Sequence, residues 1–492
     1  MRTLLKRLVL LGVIFLVVWI AIVLYWKSTA RLPSETDLLL YLGLLPLAIA
    51  GLIWGGYTLA TRQAKPASPD QASGKATADK AAAEVARQGA EQEKAWTINI
   101  VAASVQTSAG STAADVLAKL KEGPIQAELD PELKNVGGFP IFSSRIADLD
   151  VSETQDAFTQ WLKNSNQPDL AWSERQYRAL HLAGLSMREL TNVVVQHADL
   201  VKYQLLKEAG RNQNKADAVL PLRLVLVWPH DWAVSHQLAA SDWIKGLVSE
   251  QGWPESRIVV QASKADSVHP IALMDHITVS SRRGQLPVVG IMIACQSGID
   301  QEHVDALDAK NDLFNGKNTA GAMPGELAAG FVFADQQHTK LLGDLPASSV
   351  HRASWAARDK SADEAGRVTA NLLSDVVSLA LESAKLDITK IKHVIADNDH
   401  KPNRQAELAE MFTAKFPDLD CSKDAYKMAQ ASGSTQHAAT VAALCIAHQY
   451  VVDEQASVMC TSLHDAYLRA AVAMSVAADP NFADALADPI AT

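Results

Sequence analysis

The sequence predicts an α/β protein with a layered, parallel or mixed sheet in its carboxy-terminal half, preceded by a hydrophobic amino-terminal hairpin. Three observations predict it. The stretch Pro287–Asp335 holds two short apolar runs, Val288–Cys295 and Gly325–Ala334, each bounded by Pro or Gly. Neither alternates with a strict period of two, so both faces are expected to be covered, as in central strands of one sheet. From residue 216 onward, strand-like runs alternate with helix-like segments. Finally, residues 8–26 and 38–61 carry no charge over 19 and 24 residues.

The 492 residues suffice for two or three domains with their own cores. The net charge of −10, with no basic stripe in the soluble part, excludes a nucleic-acid binder. The four cysteines, Cys295, Cys421, Cys445 and Cys460, form no CxxC pair and sit in or near apolar runs. They read as buried free thiols rather than disulfide or zinc ligands.

Taken in order, the two uncharged runs are each long enough for a hydrocarbon core about 30 Å thick. Tyr25 and Trp26 close the first, and Trp54 and Tyr57 lie near the end of the second, as interfacial aromatics do. Gly51 and Gly55 make a small-xxx-small step. Arg2, Lys6 and Arg7 on one side and Arg62, Lys65, Lys75 and Lys80 on the other outnumber Lys27 and Arg31 in the connecting segment. That bias puts both ends inside. The expectation is a multi-pass protein of the inner membrane, with a hairpin at 1–62 and its soluble part in the cytoplasm. Residues 63–94 read as a Pro/Ser- and Ala-rich tether.

Residues 95–215 are expected to form a first soluble α/β domain. Its strands are Trp96–Val105 and Phe139–Ile146. Its helices are Ser111–Leu120, capped by Ser111 or Thr112, then Ala171–Leu190 and Val193–Ala209. Residues 216–492 form the second. Strands are expected at Leu222–Trp228, Arg257–Gln261, the two central runs, Ile391–Ala396 and Ser457–Thr461, with Ala466–Ala478 a last apolar stretch. Helices are expected at Gln237–Glu250, Ser267–Arg283, Ala362–Ala384 (capped near Ser361), Asn403–Lys415 and Gly433–Tyr450.

Several polar groups are candidates for chemistry. Cys295, in IACQSG, can be read as a nucleophile with His400 or His437 as base, or as a buried strand thiol. His230, Asp231 and His236 cluster beside Trp228 and Trp232, either as a metal or catalytic constellation or as a packed loop. His393, Asp397, Asp399 and His400 can be read as metal ligands or as a polar strand end. Asp300, Glu302 and Asp305 read as a solvated helix face. No GxSxG, Walker A or GxGxxG loop is present.

The motifs VVGIMIACQSGID, PGELAAGFVFAD, LDITKI followed by VIADNDH, and SGSTQHAATVAAL, in that order over residues 220–480, resemble the thiolase-like fold of ketoacyl synthases. The resemblance implies an α/β/α layered domain. It also implies a nucleophilic Cys at a helix amino terminus, assisted by two His or by a His and a Cys. The nucleophile position is expected near Gln261–Ser267, where QASKADS holds no cysteine. The family's Gly-His pair reads Gly433-Ser434, and Asp399-His400 can stand for the other His. One imidazole without a thiol cannot run acyl transfer by this mechanism. The domain is therefore expected to have lost the chemistry, with no catalytic, cofactor or metal residues.

The overall layout and the GELAAGFVFAD region further resemble the bacterial type VI lipase adaptor family. This implies a non-catalytic adaptor that recruits a phospholipase-type effector and delivers it to the secretion spike protein. Protein partners and the inner membrane are then expected, with no nucleic acid and no small-molecule substrate. The alternatives are a membrane-tethered acyltransferase using Cys295, or a structural membrane subunit.

Overall fold

The computed structural model describes residues 91–209, 216–264, 269–364, 366–398 and 400–477. The chain opens with β1, Ile98–Thr107, and α1, Ala113–Glu122. A hairpin of β2, Glu128–Lys134, and β3, Pro140–Ser143, follows. Helices α2 (Ser152–Asn164), α3 (Glu174–Val194) and α4 (Ala198–Glu208) lead to β4, Leu222–Trp228. Next come α5 (Val234–Glu250), β5 (Ile258–Lys264), α6 (Pro270–Gly284) and β6 (Val289–Ser297). After α7 (Gln301–Ala309), β7 spans Glu326–Ala334, and α8 (Gln336–Leu341), β8 (Ser348–Val350) and β9 (Ser354–Ala357) follow. The chain continues through α9 (Asn371–Ala384), β10 (Ile391–Ala396), α10 (Pro402–Lys415) and β11 (Ala425–Lys427). It finishes with α11 (Ala429–Ser432), α12 (His437–Glu454), β12 (Ser457–Ser462) and β13 (Leu468–Val476).

Local chemistry accounts for many boundaries. Thr112 caps α1 by accepting from the Asp115 N–H at 3.1 Å. Asp300 caps α7, accepting from the N–H groups of Glu302 and His303, so it is not merely part of a solvated face. Pro270 and Pro402 open α6 and α10, where their missing N–H costs nothing. The helix expected from Ala362 begins only at Asn371. The Ser361 hydroxyl caps a local turn at Asp363 instead.

β6 and β7 are buried at every position and pair with each other antiparallel. They lie within an eleven-stranded sheet of order β11-β10-β12-β13-β8-β1-β7-β6-β4-β5, with β9 beside β13. The order repeats. Counted in chain order, β1, β4, β5, β6, β7 and then β8, β10, β11, β12, β13 are both laid out third, second, fourth, fifth, first toward the junction. The directions repeat too. The second strand is parallel to its third and fourth, and the fifth is antiparallel to both neighbours. β1 and β8 join the halves, Ile98 opposite Val350.

Alternate residues of the strands face different cores. Val225, Val227, Met292, Ala294, Phe331 and Phe333 share a core with α6, α12 and strands of the second half. Leu224, Leu226, Ile291, Ile293 and Cys295 pack instead with α3 and α5. The second half has its own outer core with α9 and α10. α6 and α12 thus form an inner layer between two half-sheets, with outer helices beyond each. The result has five layers where three were expected. This explains the composition of α12, apolar and Ala-rich all round: residues 438–448 are buried without a break.

Two sequence expectations are corrected. Residues 95–215 and 216–492 are not separate domains. β1 pairs with β7 and β8 in the shared sheet, and the described residues, from Glu91 to Ala477, fall in one compact unit. Placement as a multi-pass inner-membrane protein does not stand either: among the described residues no helix is long and apolar enough to cross a membrane. The runs 8–26 and 38–61, the hairpin they were expected to make, and most of the 63–94 tether lie outside the described residues.

The two half-sheets are locked by a backbone crossing. A Cβ on Gly325 would sit 2.0 Å from the Ser432 carbonyl oxygen, and one on Gly433 would sit 2.8 Å from the Met323 oxygen. Gly433 also has φ +65°, in the left-handed region. Gly325→Ala is expected to lower stability by about 3 kcal/mol, an overpacking cost with little room to relax. Gly316→Ala, where a Cβ meets nothing within 4 Å, serves as the control in denaturant titration.

Candidate functional site at the meeting of two buried helices

The amino termini of α6 and α12 converge beside the carboxy-terminal ends of β10 and β12. Each contributes an imidazole. His269 is the N-cap of α6, its ring accepting from the Ile271 N–H, and it is buried. His437 is the first residue of α12, set by a left-handed residue, Gln436, at φ +50°. His464 follows β12 in the turn to β13. One ring nitrogen from each of the three lies within 4.8 Å of the others. The His437 and His464 rings are perpendicular at 4.7 Å, and His269 stands 5.4 and 5.9 Å from them.

Asp397, at the end of β10, organises the group. Its Oδ1 accepts from the Leu463 and His464 N–H groups at 2.7 and 3.2 Å. Its Oδ2 accepts from the Thr440 hydroxyl at 2.6 Å, from His464 Nδ1 at 2.8 Å and from the Ser462 hydroxyl. Burial alone raises this carboxyl, but the His464 imidazole and the donors from His464, Ser462 and Thr440 outweigh it. Asp397 is held well below the usual carboxylate range. Because a carboxylate only accepts, His464 carries its proton on Nδ1 and turns a lone pair outward on Nε2. The Ser462 hydroxyl is committed to Asp397, so His269 Nε2 donates to it at 2.7 Å. Burial first, then its neighbours His437 and His464, push His269 well below the ordinary imidazole value and keep it neutral.

The stretch expected to hold the nucleophile, Gln261–Ser267, ends two residues short of His269. The family's Gly-His pair was sought at Gly433-Ser434, whereas the imidazole sits at His437. Of the His393, Asp397, Asp399 and His400 candidates, only Asp397 belongs to this site. His393 meets the Tyr450 hydroxyl at 2.7 Å, His400 meets the Gly321 carbonyl at 2.6 Å, and Asp399 lies outside the described residues. The His230, Asp231 and His236 group does not converge. These residues reach Gln436, Arg175 and the Ala171 carbonyl respectively. His269 and His464 were missed. The available signal was that a helix opening His269-Pro270 follows the third strand of its half.

Sulfur is absent from the site. Cys295 is buried on the α3 and α5 side of the sheet, while His437 opens a helix on the other side. The period of two in a strand makes that separation unavoidable. Cys445 and Cys460 are fully buried, with thiols near the Gly330 and Ala443 carbonyls. Burial pushes all three thiols up, and it raises the half-buried Cys421 as well.

No family model and no curated protein matches the chain. Solved structures do. A ketosynthase from module 6 of the bacillaene synthase of Bacillus subtilis 168 superposes with TM-score 0.51 at 9 % identity, covering 78 % of this chain and 72 % of that one. The ishigamide ketosynthase/chain length factor gives TM-score 0.49 at 13 % identity, covering 78 % and 100 %. The chain therefore has a ketosynthase-like, thiolase-type fold. The likeness extends to the fold alone.

Two outcomes follow. A thiol reagent under native conditions modifies Cys421 alone, while denaturation exposes all four sulfurs. Asp397→Asn leaves its buried donors poorly matched and costs about 3 kcal/mol at pH 7. Because the folded carboxyl lies below its unfolded value near about 3.9, its contribution is full above that pH and lost as pH falls below it. The gap between variant and parent therefore narrows in denaturant titrations below about pH 4.

Proposed function

We propose that this chain is a non-catalytic adaptor: a thiolase-type scaffold that recruits a phospholipase-type effector and passes it to the spike protein of a type VI secretion machine. The identity of the cargo and machine rests on the family resemblance read from the sequence. What supports the non-catalytic part is that three imidazoles, and no sulfur, lie where α6 and α12 meet. Thioester chemistry needs a thiolate at an accessible, electropositive position; Cys295, Cys445 and Cys460 are buried, and Cys421 packs against the outer core with α9 and α10. The rival acyltransferase reading fits less well, since Cys295 lies across the sheet from His437. Apolar surface on the β2–β3 hairpin agrees with protein recognition: Val136 and Phe139 stand 75 % and 69 % exposed.

The test is affinity capture of the tagged full chain from a secreting strain, with captured proteins identified by mass spectrometry. A phospholipase-type effector together with a spike subunit is the expected result. Loss of the effector from secreted material on deleting the chain should accompany it. Capture of neither protein, or secretion unchanged by the deletion, would remove the adaptor reading.

A further inference from the structure

We propose that His269, His437 and His464 form a binding site for one divalent transition-metal ion of the zinc type, coordinated by three imidazole nitrogens. The donor set selects the metal class: neutral imidazoles suit zinc, copper, nickel and cobalt, whereas calcium and magnesium require oxygen ligands. Among the described residues this is the group of three that brings ligand atoms this close. In a loaded tetrahedral site the nitrogens would lie about 3.4 Å apart, following from metal–nitrogen distances of about 2.0–2.1 Å. Closing from 4.8 Å is within the reach of ring and χ rotation. His437 and His464 are only partly buried, which leaves an entry path.

The supporting contacts fit. The Asp397 carboxylate accepts from His464 Nδ1, fixing the tautomer that points Nε2 at the ion. His269 would ligate through one ring nitrogen and give up that nitrogen's present bond, either from the Ile271 N–H at 3.3 Å or to the Ser462 hydroxyl at 2.7 Å. The Ser462 hydroxyl keeps its bond to Asp397. Electrostatics also permit a cation. Two helix amino termini bring about half a positive charge each, and Asp397 and the neighbouring Asp465 bring two negative ones. A bound ion would tie α6, α12 and the β12–β13 turn together. It would leave a fourth position for water or for a donor from another molecule.

The test is titration of the untagged full chain, stripped with chelator, with Co²⁺ alone and then Zn²⁺. One equivalent of Co²⁺ giving a tetrahedral visible band, displaced by Zn²⁺, is expected. His464→Ala should abolish the band, and Asp397→Asn should weaken binding about 10- to 100-fold. His236→Ala, remote from the cluster, should leave it unchanged. X-ray absorption on the zinc-loaded parent should show three imidazole scatterers, a readout that needs no variant. Absence of a saturable band, a band that survives His464→Ala, or fewer than three imidazoles would overturn the site.

Discussion

The structure depends on two backbone segments passing within contact of each other. Residues 323–325 cross residues 432–434 with no room for a side chain at Gly325 or Gly433. The crossing is hydrogen-bonded on several sides. Ser434 N–H donates to the Met323 carbonyl at 2.9 Å, and the Ser434 hydroxyl accepts from Met323 N–H at 3.1 Å. Gly298 and Ser144 donate to Gly325 and Pro324 at 2.8 and 2.9 Å. One residue on, Glu326 is fully buried and takes both guanidinium arms of Arg178 at 2.6 and 2.8 Å, with Ile146 N–H at 2.7 Å. Such a pair is weak evidence for stability, but removing either partner strands a charge. The crossing therefore fixes where α12 begins, and with it the position of His437.

That placement decides what the inner layer can do. In this fold two helix amino termini meet between half-sheets, a setting that favours a thiolate or an oxyanion. Here the same point holds three imidazoles and a buried carboxylate, and the sulfurs sit elsewhere: Cys295 and Cys460 in strands, Cys445 inside α12 and Cys421 in a turn. The carboxylate is spent on fixing His464 and the turn behind it rather than on exposed chemistry. Ser462 is likewise committed to Asp397.

Much of this fold was legible in the sequence. β6 and β7 announced themselves because both faces are buried, and α1 because Thr112 caps it; α6 and α10 were expected from Ser267 and Asn403, whereas Pro270 and Pro402 set their starts. That no cysteine lies near the start of α6 was legible as well. The internal repeat was not. The two halves share strand order and direction, while their side chains differ, and periodicity reports burial rather than pairing. The domain boundary failed for a related reason: β1 satisfies its hydrogen bonds with strands more than 200 residues away. His269, His437 and His464 were hidden because no short spacing unites residues that only topology brings together. Cys295 misled because a strand's period of two, invisible in a continuous apolar run, decides which core its thiol enters.

The central property of this thiolase-type fold is that no accessible sulfur lies where α6 and α12 meet. Intact-mass spectrometry of the full chain carrying Cys421→Ser, which removes the half-buried thiol, after incubation with an acyl-thioester donor tests this directly. An unchanged mass is the predicted result. A stoichiometric acyl adduct released by hydroxylamine would contradict it.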